Sequence, residues 1–206
     1  MILLVLFVVT FIDSVIHNGY FLLAGNFLGD AKAAAIPQKW IMPVMSIGQV
    51  AEILTMFILG ATLKHLGWRT TMVVGILGHA ARFSVFAFMP QHQALIVLVN
   101  VLHGICYAFF FATVYIFVDT YLPKDIRSSA QGLFNLMILG IGALVANTIC
   151  PKLIQEVYTR NNLTDFKGLF LVPCFTALAA AIVLALFFHP PKEPAADAGN
   201  GGAAPH

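Results

Sequence analysis

The chain has 206 residues, of which 60% are hydrophobic and only 10% charged, and its mean hydropathy is +0.89. A soluble domain carries charge on roughly a quarter of its residues, so this composition excludes an ordinary soluble protein. The net charge of +2 is too small to indicate a nucleic-acid partner. The three cysteines are odd in number and lie in apolar surroundings, which favours neither a disulfide framework nor a Cys-x-x-Cys metal site.

The apolar residues fall into six runs of about 20 residues, the length that an α-helix needs to cross a bilayer. We therefore predict an all-α membrane protein whose residues 1–189 form a bundle of six transmembrane helices. No basic residue precedes the first run, in contrast to a signal peptide, so we interpret it as a span. The predicted spans are about residues 2–23, 40–63, 71–89, 94–121, 128–149 and 168–188.

The remaining residues, 190–206, are mainly Pro, Gly and Ala with a few charges. They have nothing to bury, so we predict a disordered tail. Lys and Arg in short loops decide the orientation of a membrane protein, but here five fall on each side. On one side they lie in the tighter turns, at 64–69 and 124–127, and we predict that this side, with the tail, is cytoplasmic.

Two ionisable residues lie near the middle of the first span. Asp13 and His17 are four residues apart and share one face of a helix. At ~1.5 Å per residue, Asp13 lies roughly 18 Å from the start of the span, near the bilayer midplane. A carboxyl group with an imidazole at this depth is a candidate for proton coupling. The alternative is a local pair that satisfies only itself.

The second span carries Gln49 and Glu52, which are three residues apart and share a helical face. An ionisable group at this depth costs at least ~2.5–3.5 kcal/mol in lipid, so it should face a cavity or a partner. The spacing therefore indicates a transport site. The alternative is a Glu52 that pairs with a neighbouring helix only to hold the bundle together.

Two further charges are interpreted as structural. Arg82 lies inside the third span, where an unpaired charge is costly, so we expect it to be the counter-charge of a carboxylate. His79, three residues earlier, is interpreted as a packing residue. Asp119 lies near the end of the fourth span, and we expect it to pair with a basic residue of the following turn.

The fourth span also carries an aromatic run at 109–111. Aromatic faces can stack on a nucleobase, at ~1–3 kcal/mol per base, but consecutive residues point in different directions. Tyr107 is the best stacking candidate, because its face, with His103 four residues before it, can look inward.

The loop at 60–69, Gly-Ala-Thr-Leu-Lys-His-Leu-Gly-Trp-Arg, has the spacing of the glycine/arginine loop of the major facilitator superfamily, with Lys64 where the usual form has an acid. Four other stretches narrow the match. Together they resemble the carboxy-terminal half of nucleoside:proton symporters. They are Ser-Ile-Gly-Gln-Val-Ala-Glu at 46–52, Arg-Phe at 82–83, Arg-Ser-Ser-Ala-Gln-Gly at 127–132 and Asn-Asn-Leu-Thr-Asp at 161–165.

This resemblance implies one six-helix half of a twelve-helix transporter of the cytoplasmic membrane, moving nucleosides together with protons. Gln49 and Glu52 match the family's Gln-x-x-Glu pair, which contributes to the nucleoside pocket. Asn18 matches an Asn two residues before a Tyr in the first helix. His103 and Tyr107 stand where the family has two aromatic residues, so an imidazole replaces one of them. Either Glu52 or Asp13 would take the proton.

The superfamily builds its cavity between two halves, so the resemblance also implies a partner, either a missing amino-terminal half or a second copy. The motifs of a membrane hydrolase are absent from the sequence, and we expect neither enzymatic activity nor a cofactor or metal. Two alternatives remain open. One is a haem protein with His17, His79 and His103 as axial ligands, and the other is a non-transporting subunit or sensor with the transporter fold.

Overall fold

The computed structural model describes residues 2–191, so the predicted disordered tail lies, from residue 192 onward, outside the described residues. Within this range the protein has five helices that are long and apolar enough to cross a membrane. They are α1 (Ile2–Gly29), α2 (Gln38–Phe88), α3 (Gln93–Tyr121), α4 (Lys124–Val157) and α5 (Phe166–Phe187). A short antiparallel hairpin, β1 (Thr159–Arg160) and β2 (Leu163–Thr164), joins α4 to α5.

Helix α2 has 51 residues and contains two of the predicted spans. At ~1.5 Å per residue a straight helix of this length would be more than twice the ~30 Å of a hydrocarbon core. The helix is broken at Gly67, whose backbone angles (φ 74°, ψ 170°) are not helical and suit glycine, which has no Cβ. We call residues 38–66 the first arm and 68–88 the second arm.

Both arms pack against the same part of α3, in opposite directions. Successive residues of the first arm contact later and later positions of α3, whereas successive residues of the second arm contact earlier positions. The chain therefore reverses its direction at Gly67. The contacts that show this are Gly48 with His103, Leu59 with Phe109, Gly75 with Phe110 and Gly78 with Cys106. Each arm thus crosses the bundle once, and the predicted turn at 64–69 shrinks to a break at a single glycine.

The other helices extend beyond the predicted spans. Helix α1 continues to Gly29, and α4 begins at Lys124 and ends at Val157. The apolar run underestimates these lengths because polar residues outside the hydrocarbon core can continue the helix.

Helix α4 contains two π-helical segments, Leu136–Ile141 and Leu153–Val157, and the first of them faces α1. A π turn changes the regular pairing of backbone carbonyls, and such turns often occur at functional sites. The side-chain amide of Asn18 donates a hydrogen bond to the carbonyl oxygen of Ile138 at 3.1 Å. The hydroxyl of Ser14 lies 3.5 Å from the carbonyl oxygen of Met137. Side chains of α1 therefore satisfy carbonyls of this segment.

Candidate functional site

Glu52 lies at the edge of the buried face of the first arm. Gly48, Ala51 and Thr55 are buried, Glu52 is half-buried and Gln49 is exposed. Within residues 2–191 Glu52 has no salt bridge and no hydrogen bond to another side chain. The alternative, in which Glu52 only pairs with a neighbouring helix to hold the bundle together, therefore lacks a partner residue in the described part of the chain.

A close approach of two backbones puts Glu52 beside α3. A Cβ atom on Gly104 would overlap with the backbone of Ala51 and Glu52, so only glycine fits there. The same turn of α3 carries His103, and Tyr107 follows one turn later. Tyr107 is half-buried, whereas His103 is only 1% exposed. Glu52, His103 and Tyr107 therefore belong to one neighbourhood.

The side chain of Asn18 faces another direction. Its amide donates to the carbonyl oxygen of Ser14 at 2.8 Å and to that of Ile138 at 3.1 Å. Both amide hydrogens are thus engaged at the boundary between α1 and α4.

Asp13 faces the second arm of α2. Its side chain is 0% exposed, and its Oδ2 lies 3.6 Å from Nε2 of His79. The Nδ1 atom of His79 lies 3.1 Å from Nη2 of Arg82. The contact recorded for Asp13 is therefore with an imidazole of a neighbouring helix and not with His17 on its own helix.

Arg82 is fully buried between α1 and α2. Its guanidinium lies over the ring of Tyr20, 3.9 Å from the centroid, and the hydroxyl of Tyr20 donates to Oδ1 of Asn100 at 2.5 Å. Among the described residues no carboxylate lies within ion-pair distance of Arg82, so the expected direct pairing with a carboxylate is wrong. His79 lies between Arg82 and the carboxylate of Asp13. Asp119, in contrast, is exposed and lies 3.4 Å from Nη1 of Arg127 in the turn that follows.

Three histidine rings meet in the same region. The rings of His17 and His103 are stacked at 4.4 Å between centroids, and the ring of His79 is nearly perpendicular to that of His17 at 5.7 Å. Axial haem ligands must point their nitrogens at a shared iron from opposite sides, which two stacked rings do not do. This geometry argues against the haem alternative. Among residues 2–191, no group of three or more His, Cys, Asp or Glu side chains is arranged to hold a metal ion.

The sequence-based interpretation of His79 as a packing residue is wrong, because its ring nitrogens lie beside Asp13 and Arg82. The signal was present, because His79 and Arg82 are three residues apart inside an apolar span, the same spacing as Gln49 and Glu52. Its contact with Asp13 depends on which helix lies opposite α1, and spacing along the chain does not contain that information.

Comparisons with known proteins agree with this architecture. The family model described as "Nucleoside H+ symporter" matches residues 1–193. The chain is 30% identical over 148 residues to the nucleoside permease NupG of Escherichia coli (strain K12), covering 70% of this chain and 35% of that protein. It is 27% identical over 161 residues to the xanthosine permease of the same organism, covering 75% and 38%.

The solved structure of the nucleoside transporter NupG matches with a TM-score of 0.75 and 26% sequence identity. The alignment covers 88% of this chain and 47% of that one. The chain thus spans about half the length, or less, of the relatives that it matches. Its fold is that of a multi-pass, all-α membrane protein with the helix arrangement of about half of a transporter.

Proposed function

The chain belongs to the nucleoside H+ symporter family, and on this premise we propose that it forms part of a secondary transporter that carries nucleosides across the cytoplasmic membrane together with protons. A second six-helix half, or a second copy of this chain, would complete the cavity. The tail from residue 190 would lie on the cytoplasmic side, with the break at Gly67.

The observation that carries this proposal is the environment of Glu52. A half-buried carboxylate without a salt-bridge partner in residues 2–191 is costly inside a membrane unless it faces water or a ligand. Glu52 lies beside the turn of α3 with His103 and Tyr107. A carboxylate and an amide can bind hydroxyl and ring NH groups, and aromatic rings beside them can stack on a base. Together these groups suit the chemistry of a nucleoside.

In this proposal Gln49 and Glu52 hydrogen-bond the sugar or base, and the half-buried Tyr107 stacks on the base. Asn18, whose amide hydrogens bond backbone carbonyls, contributes its side-chain oxygen as an acceptor. The buried ring of His103, already stacked on that of His17, supports this side of the pocket from behind.

Glu52, Asp13 and His17 are the candidates for the proton that the sequence predicts. Protonation changes the buried charge, and this changes which side of the cavity opens. Transport then proceeds as one helix bundle rocks against the other.

Nucleoside uptake tests the proposal. The full-length product of the gene that encodes this chain is expressed in cells without nucleoside uptake of their own, and entry of radiolabelled nucleoside is measured with and without a protonophore. We expect uptake that the protonophore abolishes. We expect Glu52→Gln to reduce it at least about tenfold, because one lost charge-assisted contact is worth ~1.5–3 kcal/mol.

Glu156→Gln is the matched control, since Glu156 is exposed at the end of α4. Its uptake should equal that of the wild type. Full uptake with unchanged proton dependence in Glu52→Gln would remove Glu52 from the coupling role, and a wild type without uptake would refute the transport function itself.

A further inference from the structure

A buried group of ionisable side chains joins α1 to the second arm of α2, deeper in the bundle than the half-buried Glu52. We call Asp13, His79 and Arg82 the inner triad. All three are 0% exposed, and they form a chain from carboxylate to imidazole to guanidinium, with 3.6 Å between Asp13 and His79 and 3.1 Å between His79 and Arg82. Such a chain of charges at this depth needs a reason, because burial of each charge is expensive.

The geometry determines where His79 carries its hydrogen. A guanidinium can only donate hydrogen bonds, so Nδ1 of His79, 3.1 Å from Nη2 of Arg82, must accept. Nδ1 therefore has no hydrogen, and the neutral ring carries its single N–H at Nε2, on the side of the Asp13 carboxylate. With Asp13 negative and Arg82 positive, the inner triad is neutral in this state.

We propose that His79 is the group that binds the transported proton, with Asp13 and Arg82 as its counter-groups. This inference rests on the proposed transport function and assigns the coupling step to a residue outside the solute pocket. The arriving proton forms an N–H bond with the lone pair of Nδ1, which until then accepted the hydrogen bond of Arg82. That hydrogen bond breaks, the imidazolium pairs with the Asp13 carboxylate, and the net charge of the triad rises from zero to +1.

The charged ring and Arg82 then repel each other, so Arg82 must move. Arg82 belongs to α2, as His79 does, and its guanidinium lies over the ring of Tyr20 of α1, so a movement of the guanidinium changes the contact between these two helices. Occupancy by a proton consequently changes how α1 packs on the second arm. This is a link between proton binding and the relative position of helices, as alternating access requires.

The groups around His79 come from three elements besides its own arm. They are Asp13, His17 and Tyr20 from α1, His103 and Cys106 from α3, and Cys174 from α5, which bonds the carbonyl of Ala80. Asp13 is the one carboxylate among them, so it is the group that stabilises a proton on His79.

A route leads from the half-buried Tyr107 to the inner triad. The ring of His17 lies 5.6 Å from that of Tyr107 and 5.7 Å from that of His79. Within the described residues, Nδ1 of His17 and both ring nitrogens of His103 are buried without a hydrogen-bond partner. These nitrogens have lone pairs or N–H groups free to take up and release a proton after a ring rotation.

Two transport assays on one preparation separate proton coupling from nucleoside binding. The full-length gene product is reconstituted in proteoliposomes. Exchange of radiolabelled for unlabelled nucleoside is measured without a pH gradient, and uphill accumulation is measured with an inward proton gradient. In His79→Gln the amide oxygen can accept from Arg82 and the amide nitrogen can donate to Asp13, but the side chain binds no proton.

We expect His79→Gln to retain exchange within about twofold of the wild type and to lose accumulation above equilibrium. His92→Gln, an exposed histidine in the loop before α3, is the control and should behave as the wild type in both assays. Undiminished uphill accumulation by His79→Gln would overturn the inference.

A second measurement observes the proton on the ring directly and needs no transport. In ¹⁵N-histidine-labelled wild type, NMR should show one ring with a hydrogen only at Nε2 at high pH and at both nitrogens after acidification. His79→Gln or His79→Asn identifies this signal by its loss. A ring that keeps a hydrogen only at Nε2 over the whole pH range in which the protein stays folded would overturn the inference, whatever the transport assays show.

Discussion

At the scale of single residues, Gly104 decides how close α3 comes to the solute groups. A Cβ atom there would overlap with the backbone nitrogen of Glu52, and a backbone cannot turn aside as the end of a flexible side chain can. Gly104→Ala should therefore push the first arm of α2 away from α3. Overpacking of this kind typically costs ~1–3 kcal/mol, so we expect a lower midpoint of thermal unfolding in detergent and weaker uptake.

Gly60→Ala is the control for this substitution. Gly60 is also helical, but no atom lies within 4 Å of a Cβ built there. Alanine exceeds glycine in helix propensity by up to ~1 kcal/mol, so this variant should be unchanged or slightly more stable. Equal midpoints for the two variants would show that Gly104 does not hold the two helices together.

Residue spacing predicts which side chains share a face of one helix, and no more. It groups Asp13 with His17 and Gln49 with Glu52. It does not reveal that Asp13 faces His79, because this contact depends on the packing of α1 against the second arm of α2. The surroundings of Arg82 are not revealed by spacing for the same reason, because the ring of Tyr20 that lies under it belongs to another helix.

At the scale of elements, the break at Gly67 converts one long helix into two spans. Its backbone lies at φ 74° and ψ 170°, a region essentially restricted to glycine, and a side chain there costs of order 1–3 kcal/mol. Gly67→Ala should therefore lower the unfolding midpoint and increase amide hydrogen exchange around residues 64–70. The same Gly60→Ala variant, seven residues earlier on the first arm, serves as its reference. Unaltered exchange in Gly67→Ala would mean that the reversal does not depend on this conformation.

The apolar runs predict where the helices cross the membrane, but not where they end. Helix α4 extends past its apolar run at both ends, and α2 stays helical into the basic turn almost up to Gly67. The π-helical segment at 136–141 of α4 was not predicted, because the hydrogen bond from Asn18 that supports it comes from another helix. The local sequence pattern predicts that a helix forms, whereas packing against other helices determines where the helix ends and where its hydrogen bonding is irregular.

At the scale of the whole molecule, the surface of the bundle is largely apolar. Phe57 is 82% exposed, Met42 70% and Leu144 68%, values that suit lipid contact and would be costly in water. Gln49 and Glu52 interrupt this apolar surface on the first arm. We expect that a second bundle covers the part that carries these two polar residues, and that the remainder faces lipid.

Accumulation of nucleoside against its own gradient tests the central claim most directly. Proteoliposomes that contain the full-length gene product are given an inward proton gradient and an equal concentration of radiolabelled nucleoside on both sides. The account predicts that the internal concentration rises above the external one, that a protonophore returns the two to equality, and that Glu52→Gln slows the rise. Equal concentrations at all times in the wild type, or accumulation that persists without the proton gradient, would contradict it.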